Sequence, residues 1–109
     1  MNTAYRTDLP DDWQPAAAVF AALGDPMRQK ILLLFEPGEE LAIKDIVDAF
    51  SLSRTAVVHH LDVLQRAGIL ASRRSGKAAL YSVRPAVVLE AIDGLRQYII
   101  ATFPAEDAR

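Results

Sequence analysis

The positive charges of this 109-residue chain are concentrated in one stretch, residues 54–84. That stretch has six cationic side chains and one carboxylate, Asp62, for a net charge of +5. The rest of the chain has six cations and thirteen carboxylates, for a net charge of −7. The six cations are Arg54, Arg66, Arg73, Arg74, Lys77 and Arg84. A basic segment inside an acidic protein is typical of a surface that binds an anion such as DNA. The alternative interpretation is an ordinary solvated surface.

The residue types that catalysis or metal binding would need are scarce. The chain has no cysteine, which excludes disulfides, thiolate metal sites and thiol redox sensing. Its two histidines, His59 and His60, are adjacent, and a metal-binding pair on a helix is usually spaced i, i+4. Ser53 is better explained as a helix cap than as a nucleophile, and no glycine loop could cradle a phosphate. The sequence therefore predicts neither an enzyme nor a bound cofactor.

Apolar residues at helical spacing predict five helices that would position the basic stretch. We place them at residues 13–23, 26–36, 41–50, 54–67 and 86–102. Asp25 is a predicted N-cap with Pro26 in the first turn, Ser53 is another N-cap, and Gly68 is a predicted helix terminator. The third and fourth helices are joined by a turn of about three residues, which is the helix-turn-helix spacing.

A β-hairpin is predicted between the fourth and fifth helices. Residues 69–74 and 79–83 read as strands joined by a turn at residues 75–77, where Gly76 can adopt a positive φ. A basic hairpin after such a helix is a wing. The predicted fold is mainly α with a small β-hairpin, in the order α-α-α-α-β-β-α. It forms one domain, residues 13–103, with flexible ends at residues 1–12 and 104–109. We see no signal peptide or membrane span, and expect a cytoplasmic protein without a membrane partner.

Three motifs occur in the order found in the ArsR/SmtB family of winged helix-turn-helix repressors, and we take them as a resemblance to it over residues 16–102. Residues 25–32, DPMRQKIL, resemble the family's DPxRxxIL opening of the second helix. Residues 53–61, SRTAVVHHL, resemble its recognition-helix motif SxxxVSxHL, and residues 76–83 resemble its GRxxxYSL wing. The resemblance implies a homodimeric DNA-binding regulator, a repressor, acting on an inverted-repeat operator.

The chain departs from the family at its metal-binding positions. Ala42 and Lys44 stand where the arsenic and cadmium sensors have cysteines, and the last helix has Glu90 and Asp93 but no histidine. Carboxylates alone would suit a hard cation at best, and a solvated helix face explains them better. The sequence therefore predicts a regulator that does not respond to metals through cysteine or histidine sites.

The DNA-binding residues follow from the helical wheel of the fourth helix and from the wing. Val57, Leu61 and Leu64 must face the core, which leaves the opposite face and one shoulder for the major groove. The residues expected to contact DNA are Ser53, Arg54, Thr55, Val58 and His59 on the helix and Arg73, Arg74 and Lys77 on the wing. Val58 replaces the family's usual serine. A merely solvated His59 and a merely solvated hairpin tip are the alternatives, and His60 is interpreted as structural.

The first and last helices are expected to form the dimer interface, as in the family. The predicted interface residues are Val19, Phe20, Leu89, Ile92, Leu95 and Ile99. Gly94 inside the last helix would allow close approach of another helix. Three hypotheses remain for what controls the regulator: it binds an unknown small-molecule or protein effector, it is controlled by its own abundance alone, or it binds a metal ion through carboxylates. A winged-helix protein-interaction module that does not bind DNA is the alternative function.

Overall fold

The computed structural model describes residues 5, 7–103 and 105. A 3-10 turn at Asp11–Trp13 precedes the first of five α-helices and three short β-strands. The elements are α1 Gln14–Leu23, α2 Pro26–Leu34, β1 Leu41–Ala42, α3 Ile43–Phe50, α4 Arg54–Arg66, β2 Leu70–Ser75, β3 Ala78–Val83 and α5 Pro85–Thr102. The predicted winged helix-turn-helix fold is confirmed.

The two predicted flexible ends fall mostly on residues 1–4, 6, 104 and 106–109, which lie outside the described residues. The 3-10 turn at Asp11–Trp13 shows that regular structure begins two residues before the predicted start of the domain at Trp13. In the described part of the chain, no helix is both long enough and apolar enough to cross a membrane.

The core is built around α4. Val57, Leu61 and Leu64, the three residues predicted to face inwards, are fully buried. They pack with Ile31 from α2 and Ile46 from α3, which are equally buried. Burying a side chain of this size contributes about 1.5–3 kcal/mol. The opposite face of α4 is thereby held at the surface, which is the condition for it to enter a DNA groove.

The sheet has three strands rather than the two predicted. Leu41 and Ala42 were expected in the third helix, but they form β1 and pair antiparallel with Tyr81 and Leu80 of β3. The Asp45 carboxylate accepts a hydrogen bond from the Ala42 backbone N–H at 2.8 Å, so α3 begins only after this extended residue. The predicted hairpin is present as β2 and β3, and the additional strand β1 was missed because its partner lies about forty residues further along the chain.

The wing is a regular hairpin with a two-residue turn. Ser75 pairs with Ala78, so Gly76 and Lys77 form the turn, and only Gly76 has a positive φ, 62°. This is the pattern of a type II′ turn, which suits the twist of the two strands. The first strand therefore ends one residue later than predicted, at Ser75, and the second begins one residue earlier, at Ala78.

The junction of α1 and α2 is held by the polar residues at the start of α2. The Asp25 carboxylate accepts a hydrogen bond from the Met27 N–H at 2.7 Å, and this bond lowers the pKa of Asp25. Arg28 donates to the Ala22 carbonyl at 2.7 Å and Gln29 donates to the Leu23 carbonyl at 2.6 Å. These side chains satisfy the free carbonyls at the end of α1 and fix the angle between the two helices.

Candidate nucleic-acid interface

The N-cap and the first two turns of α4 bring together the five helix residues predicted to contact DNA. The Ser53 Oγ accepts a hydrogen bond from the Ala56 backbone N–H at 3.1 Å, which confirms Ser53 as the N-cap. Arg54, Thr55, Val58 and His59 are all exposed. Val58 is 41% exposed although it is apolar, so its methyl groups are available to a partner. A capped helix start with exposed side chains of this kind can present both N–H groups and a guanidinium to an anion.

Asp62, the one carboxylate in the basic stretch, is paired within α4. Its Oδ2 lies 2.8 Å from the Nε of Arg66, one helical turn further on. The pair lies in the second half of α4, so its charges do not offset that of Arg54 at the start of the helix. Arg54 itself forms no salt bridge with any of the described residues.

The two histidines have different surroundings. His60 is half-buried, and its Nδ1 lies 3.4 Å from an Nη1 of Arg28, the residue that also holds the end of α1. This contact links α4 to the α1–α2 junction, which is a structural role. His59 points towards solvent, with its ring centroid 5.7 Å from that of His60.

The cations of the wing are not equivalent. Arg73 forms a two-pronged salt bridge with Glu40, with Nε 2.6 Å from Oε2 and Nη2 2.7 Å from Oε1. The hydrogen bond from Arg73 lowers the pKa of Glu40, and Glu40 raises the pKa of Arg73. The phosphate contact of Arg73 stays a prediction, and it requires the guanidinium to leave Glu40 first. Arg74 and Lys77 are exposed and form no salt bridge with the residues described.

The additional strand β1 explains why Glu40 is the partner of Arg73, a pairing that the sequence did not reveal. Arg73 of β2 and Ala42 of β1 both pair with Leu80 of β3, so the three residues form one row across the sheet. Glu40 lies two residues before Ala42, and alternate residues of an extended chain point to the same side. Glu40 and Arg73 are thus brought to the same face by the register of the sheet.

The wing is attached firmly to α4. Gly68 ends the helix with φ of 84°, and the Ile69 N–H donates to the Leu64 carbonyl at 3.0 Å. The Gln65 side chain also donates to the Ser72 hydroxyl of β2 at 2.9 Å. A Cβ at position 68 would approach Val87 to 3.4 Å, so glycine suits both the backbone and the packing there. The base of the wing is therefore held against the C-terminal end of α4.

The residues predicted at the dimer interface divide into two groups. The exposed members form an apolar face along α1 and α5, which we call the α1/α5 face. Its members are the predicted residues Phe20, Leu89, Ile92, Leu95 and Ile99, and two exposed residues that were not predicted, Tyr98 and Ile100. Val19 is only 2% exposed and packs in the protomer's own core. Val19 therefore has almost no surface to offer a partner in this protomer, and its place at the interface stays a prediction.

The metal centres of the resembling family do not fit the residues present here. Among the described residues, no three histidine, cysteine, aspartate or glutamate side chains lie close enough to hold a metal ion. Ala42 pairs within the sheet, and the Nζ of Lys44 lies 2.7 Å from an oxygen of Asp48. Neither residue can supply the thiolate ligand that stands at its position in the metal sensors.

Comparison with known proteins points to regulators of transcription. A family model for a helix-turn-helix domain matches residues 23–73. The transcriptional repressor SdpR of Bacillus subtilis is 35% identical over 81 residues, which are 74% of this chain and 89% of that protein. The HTH-type transcriptional regulator NmtR of Mycobacterium tuberculosis is 33% identical over 91 residues, 81% of this chain and 75% of that protein. An ArsR-like transcriptional regulator from Rhodococcus sp. RHA1 has a similar structure, with a TM-score of 0.72 and 26% sequence identity. The similarity covers 82% of this chain and 83% of that protein.

Proposed function

Because the chain belongs to the ArsR family of winged helix-turn-helix transcriptional regulators, we propose that it is a homodimeric repressor that binds an inverted-repeat operator. The observation that carries the proposal is the capped, exposed start of α4, together with the exposed cations of the wing that is attached to the other end of the same helix. In a dimer two such helix starts enter successive major grooves about one DNA turn apart, and a two-fold dimer requires a two-fold operator.

Each exposed residue at the start of α4, from Ser53 to His59, has a distinct role in the proposal. Arg54 donates two hydrogen bonds to guanine O6 and N7, an interaction worth about 1–3 kcal/mol of discrimination between bases. Val58 packs on a thymine methyl group, because it has no polar atom to offer. Ser53 and the helix start bind a backbone phosphate, and Thr55 and His59 complete the contact surface.

The wing supplies affinity rather than sequence choice. Arg74 and Lys77 are the cations available to the phosphates or the minor groove, whereas Arg73 must first leave Glu40. Contacts of this kind make binding strongly dependent on salt concentration.

The proposed dimer is formed through the α1/α5 face. Leu89, Ile92 and Ile99 are 47–58% exposed in the protomer, which is unusual for a row of large aliphatic side chains on one helix. Their burial against a second copy supplies the association energy. The α1/α5 face carries no cysteine or histidine, so the proposed repressor does not sense metals through those ligands.

The test is binding of the full chain to the DNA upstream of its own gene, measured by fluorescence anisotropy over a salt series. Arg54→Ala is expected to weaken specific binding by about 1–3 kcal/mol and to relax base choice at one position of each half-site. Arg74→Ala is expected to weaken binding to all sequences and to reduce the salt slope by about 1 per protomer.

Lys30→Ala is the matched control for both substitutions. Lys30 is an exposed cation on α2, outside the proposed surface, so its removal makes the same charge change. Equal losses in Lys30→Ala and Arg54→Ala would contradict the assigned contact. No binding to the upstream fragment or to random DNA at low salt would favour the protein-interaction module instead.

A further inference from the structure

A cleft of about 410 Å³ lies between the start of α1 and the middle of α5. This volume falls within the range of small-molecule sites, roughly 300–1,000 Å³. None of the α4 and wing residues proposed to contact DNA lines the cleft, which adjoins the α1/α5 face. We propose that it binds a small organic cation with an aromatic or otherwise apolar body.

Aromatic side chains form much of the lining of the cleft. Trp13, Phe20 and Tyr98 all line it. The rings of Trp13 and Tyr98 meet edge to face, with centroids 4.9 Å apart and planes at 86°, and this contact ties the start of α1 to α5. Three rings around one space favour a flat apolar body, and ring faces attract a cation.

The charged groups in the lining are carboxylates only. Asp12 and Glu90 line the cleft, and no lysine or arginine among the described residues does so. Neither carboxylate forms a salt bridge with another described residue. A cationic ligand would place its charge near both carboxylates, whereas an anion would be repelled by them. The combination of rings and carboxylates therefore selects for positive charge on an apolar molecule.

Gly94 provides a second, independent indication. It lies in the interior of α5, where glycine disfavours the helix, and it lines the cleft. A Cβ at this position would meet nothing within 4 Å, so no contact inside the protomer requires glycine there. The missing side chain keeps space open in the cleft, and a larger residue would fill it without a clash in the protomer.

Binding is tested with phenyltrimethylammonium chloride added to the full chain without DNA, by calorimetry and by the fluorescence of Trp13, the only tryptophan. The uncharged isostere tert-butylbenzene and the anion benzenesulfonate are titrated in parallel. We expect phenyltrimethylammonium to bind and the other two to bind more weakly or not at all. Equal binding of the isostere, or no binding of the cation, would overturn the proposal.

Three variants locate the site. Glu90→Gln is expected to weaken binding of phenyltrimethylammonium roughly five-fold, the limit for an exposed charge pair. Asp93→Asn makes the same change of charge on α5 outside the cleft and is expected to leave binding unaltered. Gly94→Leu is expected to abolish binding while the melting temperature holds or rises. Unaltered binding in Gly94→Leu, or equal losses in the Glu90 and Asp93 variants, would refute this location.

A second copy of the chain is the competing occupant, because Phe20, Leu95 and Tyr98 belong both to the cleft and to the α1/α5 face. The titration is therefore repeated across protein concentrations, with the oligomeric state measured at each one. Loss of cation binding as the dimer forms would mean that the partner fills the cleft, and the proposal would fail.

Binding of the cation is independent of the proposed function. Only an effect of the cation on DNA binding would rest on the proposed function. Anisotropy with operator DNA, with and without phenyltrimethylammonium, separates the two. Cation binding without DNA binding would refute only the repressor, and DNA binding without cation binding would refute only the ligand site.

Discussion

The salt bridge between Glu40 and Arg73 predicts that removing an acid near the wing strengthens DNA binding. Both oxygens of Glu40 contact the guanidinium of Arg73, at 2.6 and 2.7 Å, in the geometry that a DNA phosphate would otherwise use. A phosphate must therefore displace Glu40 before Arg73 can contribute. In Glu40→Gln the side chain keeps its size but loses its charge, and Arg73 becomes available.

The size of the effect follows from how many more DNA phosphates the variant dimer binds. Each additional phosphate bound by a cation steepens the dependence of log K on log salt by about 0.9, so a dimer with two released arginines steepens it by about 1.8. A four-fold change of salt concentration then changes affinity about twelve-fold more in Glu40→Gln than in the wild type. The increase in affinity is expected to be largest at low salt.

The assay is anisotropy with operator DNA between low and moderate salt for four proteins. These are the wild type, Glu40→Gln, Arg73→Ala, and the double variant. Arg73→Ala alone is expected to weaken binding, because it leaves the Glu40 carboxylate unpaired beside the wing, whereas in the double variant it should remove the whole increase seen in Glu40→Gln.

Glu36→Gln is the matched control, since it removes the same charge from an exposed glutamate in the loop that also carries Glu40. If Glu36→Gln steepens the salt dependence as much as Glu40→Gln, the effect is one of net charge. If Glu40→Gln weakens DNA binding, the salt bridge positions the wing for binding, and Glu40 does not act as a competitor of phosphate.

Three further predictions concern the helix caps and the dimer. Ser53→Ala removes the cap of α4 and is expected to lower the free energy of unfolding by about 1 kcal/mol in chemical denaturation; an unchanged midpoint would contradict the cap. The lowered pKa of Asp25 means that its ionised form stabilises the fold above the usual aspartate pKa. That stability is lost as pH falls through the lowered pKa, and Asp25→Asn should show a shallower acid dependence in urea unfolding. Ile99→Glu places a charge on the α1/α5 face and is expected to give monomers in analytical ultracentrifugation; a dimer that persists would place the interface elsewhere.

Local patterns predicted the elements that carry the proposed DNA surface. The spacing of Val57, Leu61 and Leu64 identified the buried side of α4, because a helix repeats every 3.6 residues whatever it packs against. Ser53 was recognisable as a cap since the chemistry of capping involves only the next three residues. The exposure of Arg54 at the start of the helix follows from the same two facts.

Features that depend on residues far apart in the chain were missed. The strand at Leu41 and Ala42 is too short to show a pattern of its own, and it exists only because β3 pairs with it. The contact between Glu40 and Arg73 spans 33 residues and follows from that pairing. Likewise, the sequence of α1 alone could not show that Val19 is buried, because the neighbouring helices decide which apolar side chains of α1 they cover.

The arrangement of α1 and α5 connects three proposed activities, which are binding of a ligand in the cleft, dimer formation and binding of DNA. Phe20 and Leu95 line the cleft and also belong to the α1/α5 face, so a bound cation would rest against side chains that a second protomer must bury. That protomer's position sets the distance between the two α4 helices, since each α4 is fixed to its own core through Val57, Leu61 and Leu64. An operator with fixed half-site spacing tolerates only a narrow range of such distances. A ligand in the cleft would therefore change DNA affinity by shifting the dimer geometry, while the DNA-contacting residues themselves stay unaltered.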